Sequence, residues 1–175
     1  MNAATLFLIT LTCSYVLGTP QVRQEPPYPS NQFTIVNWNV DSLKPDPHMA
    51  ALRMARMEGV DLWGICGVRN EQWAEMFRAA AGENEPREVA SLLSPTCGTD
   101  RLLILYDSRR FELIRHYEFG WEDEPWYRPD MVLRPSLVAQ LRHRATGQEF
   151  LFMVNCLHPK WTALQAEKIA RWARR

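Results

Sequence analysis

The side chains of this chain that are able to do chemistry are few and scattered. After residue 18 the cysteines are Cys66, Cys97 and Cys156, spaced 31 and 59 residues apart, which fits no zinc finger or ribbon. Three is an odd number, so at least one thiol stays unpaired. Two of them lie in apolar runs, where a thiol serves as a small core residue. His48, His116 and His143 stand alone and read as surface or core residues. His158 ends the apolar run that begins at Phe150, and an imidazole there can hydrogen-bond a phosphate. Arg134, before Pro135, carries a planar fork of the kind that grips phosphate, although an arginine beside a proline is commonly a solvated loop residue. Asn39 closes the run Phe33–Val40 and could satisfy buried backbone groups at a strand end. Trp121, Trp126 and Tyr127 could stack on a base or sugar. Glu122, Asp123 and Glu124 beside them would repel a polyanion, so capping of the core is the better reading.

Elements must exist to hold these groups. With 175 residues, 46% hydrophobic and 23% charged, the chain has the composition of one folded domain and excludes a large multidomain enzyme. Twenty basic side chains balance twenty acidic ones, which argues against holding nucleic acid mainly by a basic surface. The longest apolar stretch, Ala3 to Leu17, is shorter than the roughly 20 residues of a bilayer span. Residues 1–18, with an apolar centre and Val16-Leu17-Gly18 at its end, read as a secretory signal, and hence as a secreted or periplasmic protein. Residues 19–32 hold Pro20, Pro26, Pro27 and Pro29 and read as an extended linker, leaving residues 33–175 as the domain.

Within it, Phe33–Val40 is β-branched and aromatic enough for a strand. Asp46-Pro47 starts a helix carrying Met49, Leu52 and Met57, ended by Gly59. Val60–Val68 is a second strand, and Asn70 caps a second helix with Trp73, Met76, Phe77 and Ala80 on one face. Glu88–Leu93, Arg101–Tyr106, Phe111–Phe119, Pro135–Arg144 and Gln148–Leu157 follow as strands of a meander, and Trp161–Arg175 as a third helix. The class is α/β or α+β, in layers.

Three patterns resemble the endonuclease/exonuclease/phosphatase superfamily, which includes deoxyribonuclease I, abasic-site endonucleases, inositol phosphatases and sphingomyelinases. Phe33-Thr-Ile-Val-Asn-Trp-Asn-Val40 is similar to the family's opening strand. Asp61-Leu-Trp-Gly-Ile-Cys-Gly-Val68 is similar to its strand ending in Gln-Glu-Val. Arg134-Pro-Ser-Leu-Val-Ala, Thr146-Gly147 and Phe150-Leu-Phe-Met-Val-Asn-Cys-Leu-His158 resemble the hairpin that carries its first catalytic histidine. Their order across about 125 residues is more specific than any one of them.

The resemblance implies a four-layer α/β sandwich of two mixed sheets with outer helices and a site at the strand ends. It implies water attack on a phosphodiester or phosphomonoester, assisted by Mg²⁺, with nucleic acid or a phospholipid headgroup as the substrate's source. By the same resemblance Asn39 is the strand-end Asn beside the metal, and Gly67 stands where the family has its metal-binding Glu. The family's histidine falls on Cys156 or on His158, and imidazole chemistry favours His158. Glu71, four residues past Gly67, is a weak replacement ligand. The family's later Asp-x-Asn and Asp-His patterns do not occur, so the C-terminal half of the sandwich is expected to be missing. Two functions follow: a metal-dependent phosphoester hydrolase, inactive or incomplete as this chain, or a catalytically dead pseudoenzyme that acts as a binding module.

Overall fold

The computed structural model describes residues 32–40, 46–83, 87–96, 98–119, 135–157 and 162–174. The expected signal and linker, the loop of Trp121, Trp126 and Tyr127, Arg134 and His158 all lie outside the described residues. The elements in chain order are β1 (Ile35–Asn39), α1 (Pro47–Ala55), β2 (Leu62–Val68), α2 (Glu71–Ala81), β3 (Val89–Leu93), β4 (Arg101–Asp107), β5 (Phe111–Phe119), β6 (Ser136–His143), β7 (Glu149–Val154) and α3 (Thr162–Trp172).

The strands form two sheets, ordered β1-β2-β4-β3 and β5-β6-β7. β1 and β2 are parallel, as a strand–helix–strand unit requires, while β4 runs antiparallel to both of its neighbours. The first sheet is therefore mixed, and the described strands of the second are all antiparallel. Every residue of β2 is buried, because this strand lies between helices on one side and the second sheet on the other.

Side-chain alternation along the strands separates two cores. Trp63, Ile65, Leu103 and Leu105 face the helices and meet Met54, Trp73 and Phe77. Leu62, Cys66, Leu102 and Ile104 face the second sheet and meet Phe111, Leu137, Leu141 and Val154. On the outer side of the second sheet Trp172 of α3 packs against Phe119, with ring centroids 5.0 Å apart, and against Tyr117 at 6.4 Å. The order helix, sheet, sheet, helix is the expected four-layer sandwich.

Both N-terminal helices start as their sequences dictate. The Asp46 carboxylate accepts from the His48 and Met49 amides, with Pro47 in the first turn, and the Asn70 side chain accepts from the Trp73 amide. α1 is rotated from the expected orientation. Ala51 and Met54 face the core, whereas Met49 and Leu52 are 48% and 52% exposed. Ala50, Ala51 and Ala55 are the residues that let α1 lie close to its neighbours, and the longer side chains are displaced outward. The helix also stops at Arg56 rather than at Gly59, whose φ of 74° serves the loop into β2.

Candidate functional site

The sheets bring one set of strand ends to one edge. β1 ends there at Asn39, β2 at Val68 and β7 at Val154, and β4 and β6 begin there at Arg101 and Ser136. Asn39 pairs with Cys66 across the parallel ladder, and the Val40 amide donates to the Cys66 carbonyl at 3.0 Å. Asn39 is exposed on the side that faces the second sheet, as is Asn37. The chain leaves this edge into residues 41–45, 120–134 and 158–161, outside the described residues, so Arg134 and His158 have no described place beside Asn39.

Gly67 has a conformational reason to be glycine. The pairing of β2 with β4 shifts between Cys66 and Val68, and Gly67 has φ = 83° within that bulge. The bulge consumes one residue and so shifts the alternation: Cys66 faces the second sheet, but Val68, two residues on, faces the helices. An L-residue at this φ carries strain, so the backbone here favours glycine whatever its role in the site. Glu71 opens α2, and its carboxylate is held by Arg101 at 2.5 Å, which keeps its pKa below the usual carboxylate range. Its side chain is 77% exposed.

The described residues do not supply a ligand set for Mg²⁺. Among the described residues no three His, Cys, Asp or Glu side chains come together, and Gly67 has no side-chain oxygen to offer a hard cation. The edge can do a different kind of chemistry. It presents neutral hydrogen-bonding groups, Asn39 and Asn155, with Arg101 nearby as a charged donor already committed to Glu71.

Two site neighbours had not been singled out in the sequence. Ser136 donates its hydroxyl proton to Asn155 Oδ1, joining the start of β6 to the end of β7. Cys66, opposite, donates its thiol to the Asn155 carbonyl at 3.3 Å. The available signal was phase: Ser136 and Asn155 are the first and last polar residues on the two strands of one hairpin. Cys156 comes next and packs against the inter-sheet core, where the sequence had allowed a position for the family's histidine.

Asp61, the first residue of the second pattern, lies at the other end of β2 and does not join this edge. Its side chain is fully buried, accepts from the Thr34 amide at 2.8 Å, and faces Arg110 at 2.6 Å and Arg87 at 3.6 Å. The approach of Arg110 to Oδ1 is an ion pair by distance, although its donor angle falls short of a hydrogen bond. Asp61 is therefore a structural tie between the two sheets.

Known structures share this fold. A mannosyl-6-phosphatase from Bacteroides thetaiotaomicron superposes with a TM-score of 0.60 at 15% identity, over 82% of this chain and 61% of that one. The fold is shared with solved structures that include endonuclease/exonuclease/phosphatase family proteins. D. rerio TDP2 in complex with a single-strand DNA product gives 0.55 at 14% identity, over 79% and 52%. An endonuclease/exonuclease/phosphatase family protein from Bacteroides thetaiotaomicron gives 0.54 at 16%, over 69% and 47%. This chain thus spans about half to three fifths of the length of these structures. No protein-family model matches the sequence, and no curated protein matches it.

Proposed function

We propose that this chain is a phosphoester-hydrolase-type domain whose strand-end edge does not sustain metal-dependent hydrolysis, and that binding is what remains there. The observation that carries the reading is Gly67: glycine at the position of the family's metal-binding carboxylate, on a bulge with φ = 83°. Asn39, exposed at the end of β1, supplies a hydrogen-bond donor to a phosphoryl oxygen, and His158 is the partner assigned to it by the resemblance. The ligand class is a phosphoester, with nucleic acid and phospholipid headgroups as its two sources. Mg²⁺ has no assigned ligand set in this chain. Residues 1–18 act as an export signal in this reading, and the N-terminal sequence of the mature protein tests that.

The decisive assay uses a chromogenic phosphodiester with and without Mg²⁺. The expected result is no metal-dependent turnover above the blank. Mg²⁺-dependent turnover that Asn39→Ala and His158→Ala each abolish would overturn the inactive reading and restore the hydrolase. Binding of a non-hydrolysable phosphodiester, weakened at least tenfold by Asn39→Ala, is the expected positive result.

A further inference from the structure

We propose that Cys66 and Cys156 form an inter-sheet disulfide under oxidising conditions, making the strand-end edge a site of thiol modification. Neither the phosphoester reading nor any activity is needed for it. The argument begins at Gly64. This residue lies on the face of β2 turned toward the second sheet, and a Cβ built on it would come within 2.9 Å of Val154 Cγ2 and 3.3 Å of Phe152 Cζ. The missing side chain lets β7 approach β2 closely. Two residues on along each strand, the same alternation brings Cys66 and Cys156 to the facing sides.

The contacts agree with that phase. Cys66 Sγ lies 3.3 Å from the carbonyl oxygen of Asn155, the residue bonded to Cys156. By peptide geometry this holds the Cys156 Cα within about 6 Å of the Cys66 sulfur. Cys156 packs against the cluster that contains Cys66, so both side chains enter one core. From that Cα the Cys156 sulfur reaches Cys66 through side-chain rotation and shifts at the end of β7, where the chain is past its last ladder pair, Leu137 with Val154.

Accessibility orders the steps. Cys66 is 5% exposed and Cys156 is only partly buried, so Cys156 reacts first. Its thiolate attacks one sulfur of a small-molecule disulfide such as oxidised glutathione, releasing one small thiolate and leaving a mixed disulfide. The Cys66 thiolate then attacks the Cys156 sulfur and expels the second small thiolate. The protein loses two protons and two electrons, and the small disulfide takes them up as two thiols. The bond closes a loop between residues 66 and 156 and joins β2 of one sheet to β7 of the other.

The test uses the full chain, folded under reducing conditions and then incubated with oxidised glutathione, with free thiols trapped by alkylation before proteolysis. The expected product is one peptide pair linking Cys66 to Cys156, and a Tm raised by about 5 °C or more and returned by dithiothreitol. Recovery of both peptides separately alkylated, or bridging of either cysteine to Cys97 or Cys13, would overturn the proposal. Cys156→Ser provides the second arm. It should keep the far-ultraviolet circular dichroism of the reduced protein and lose the oxidant-dependent Tm shift; a shift that persists in it would also count against this pair.

Discussion

Gly67 and His143 show how single positions set the behaviour of this domain. Gly67 sits in the bulge of β2 at φ = 83°, a region that costs an L-residue about 1–2 kcal/mol. Gly67→Ala should lower unfolding stability by that amount in urea titrations, with little change in the m-value. Gly67→Glu should lose a similar amount. His143 is 4% exposed, stacks near Phe33 and Phe111, and shares a hydrogen bond between its Nδ1 and the Thr146 hydroxyl. Burial, and then the charge of Arg110, push its pKa below the ordinary 6.5, with Asp61 opposing. The unfolded chain therefore takes up this proton at a higher pH than the folded one. Stability should fall as pH drops through about 6.5 and below, because protonation there favours the unfolded state. His143→Gln should flatten the slope of stability against pH between about 6.5 and 5 in a series of denaturant melts.

At the scale of elements, the fold depends on ties at both ends of β2. Asp61 at its start is buried against Arg110 and Arg87 and accepts from the Thr34 amide. Asp61→Ala should cost about 3–5 kcal/mol, measured by chemical denaturation, because it leaves arginine charge without its buried partner. The strands and helices were legible wherever the sequence carries a local instruction. Asn70 and Asp46 announce their helices, and Phe111–Phe119, rich in aromatic and branched residues, gives β5 with both boundaries although its alternation breaks at the Leu113–Arg115 register shift. The orientation of α1 was not legible, because Met49 and Leu52 are spaced like a buried face while the packing selects Ala51 and Met54. Division into two sheets was expected only through the family resemblance, since pairing between distant strands leaves no mark on either segment alone. The strand-end edge was partly legible: Asn39 and Gly67 fall at strand ends as the resemblance implied, while the junction of Ser136, Asn155 and Cys66 depends on three separate elements.

The whole molecule is a sandwich of unequal sheets, four strands facing three among the described residues. Among the described residues the second sheet packs over β2 and β4, through β6 and β7, so the inner face of β1 lies beyond that contact. On β1 the inner face carries Ile35, half-buried, followed by Asn37 and Asn39, both exposed. Polar side chains at the open positions oppose sheet-to-sheet association, which a continuous apolar stripe would favour. Asn37 is thus placed to limit self-association as well as to line the edge. Asn37→Val tests this at the level of the molecule. It replaces an exposed amide by a β-branched apolar side chain suited to a strand, so the secondary structure should be retained. The expected outcome is a concentration-dependent rise in light scattering and a heavier sedimenting species than wild type, with an unchanged far-ultraviolet spectrum. Equal monodispersity of the two proteins across the same concentrations would show that the open face of β1 does not govern association.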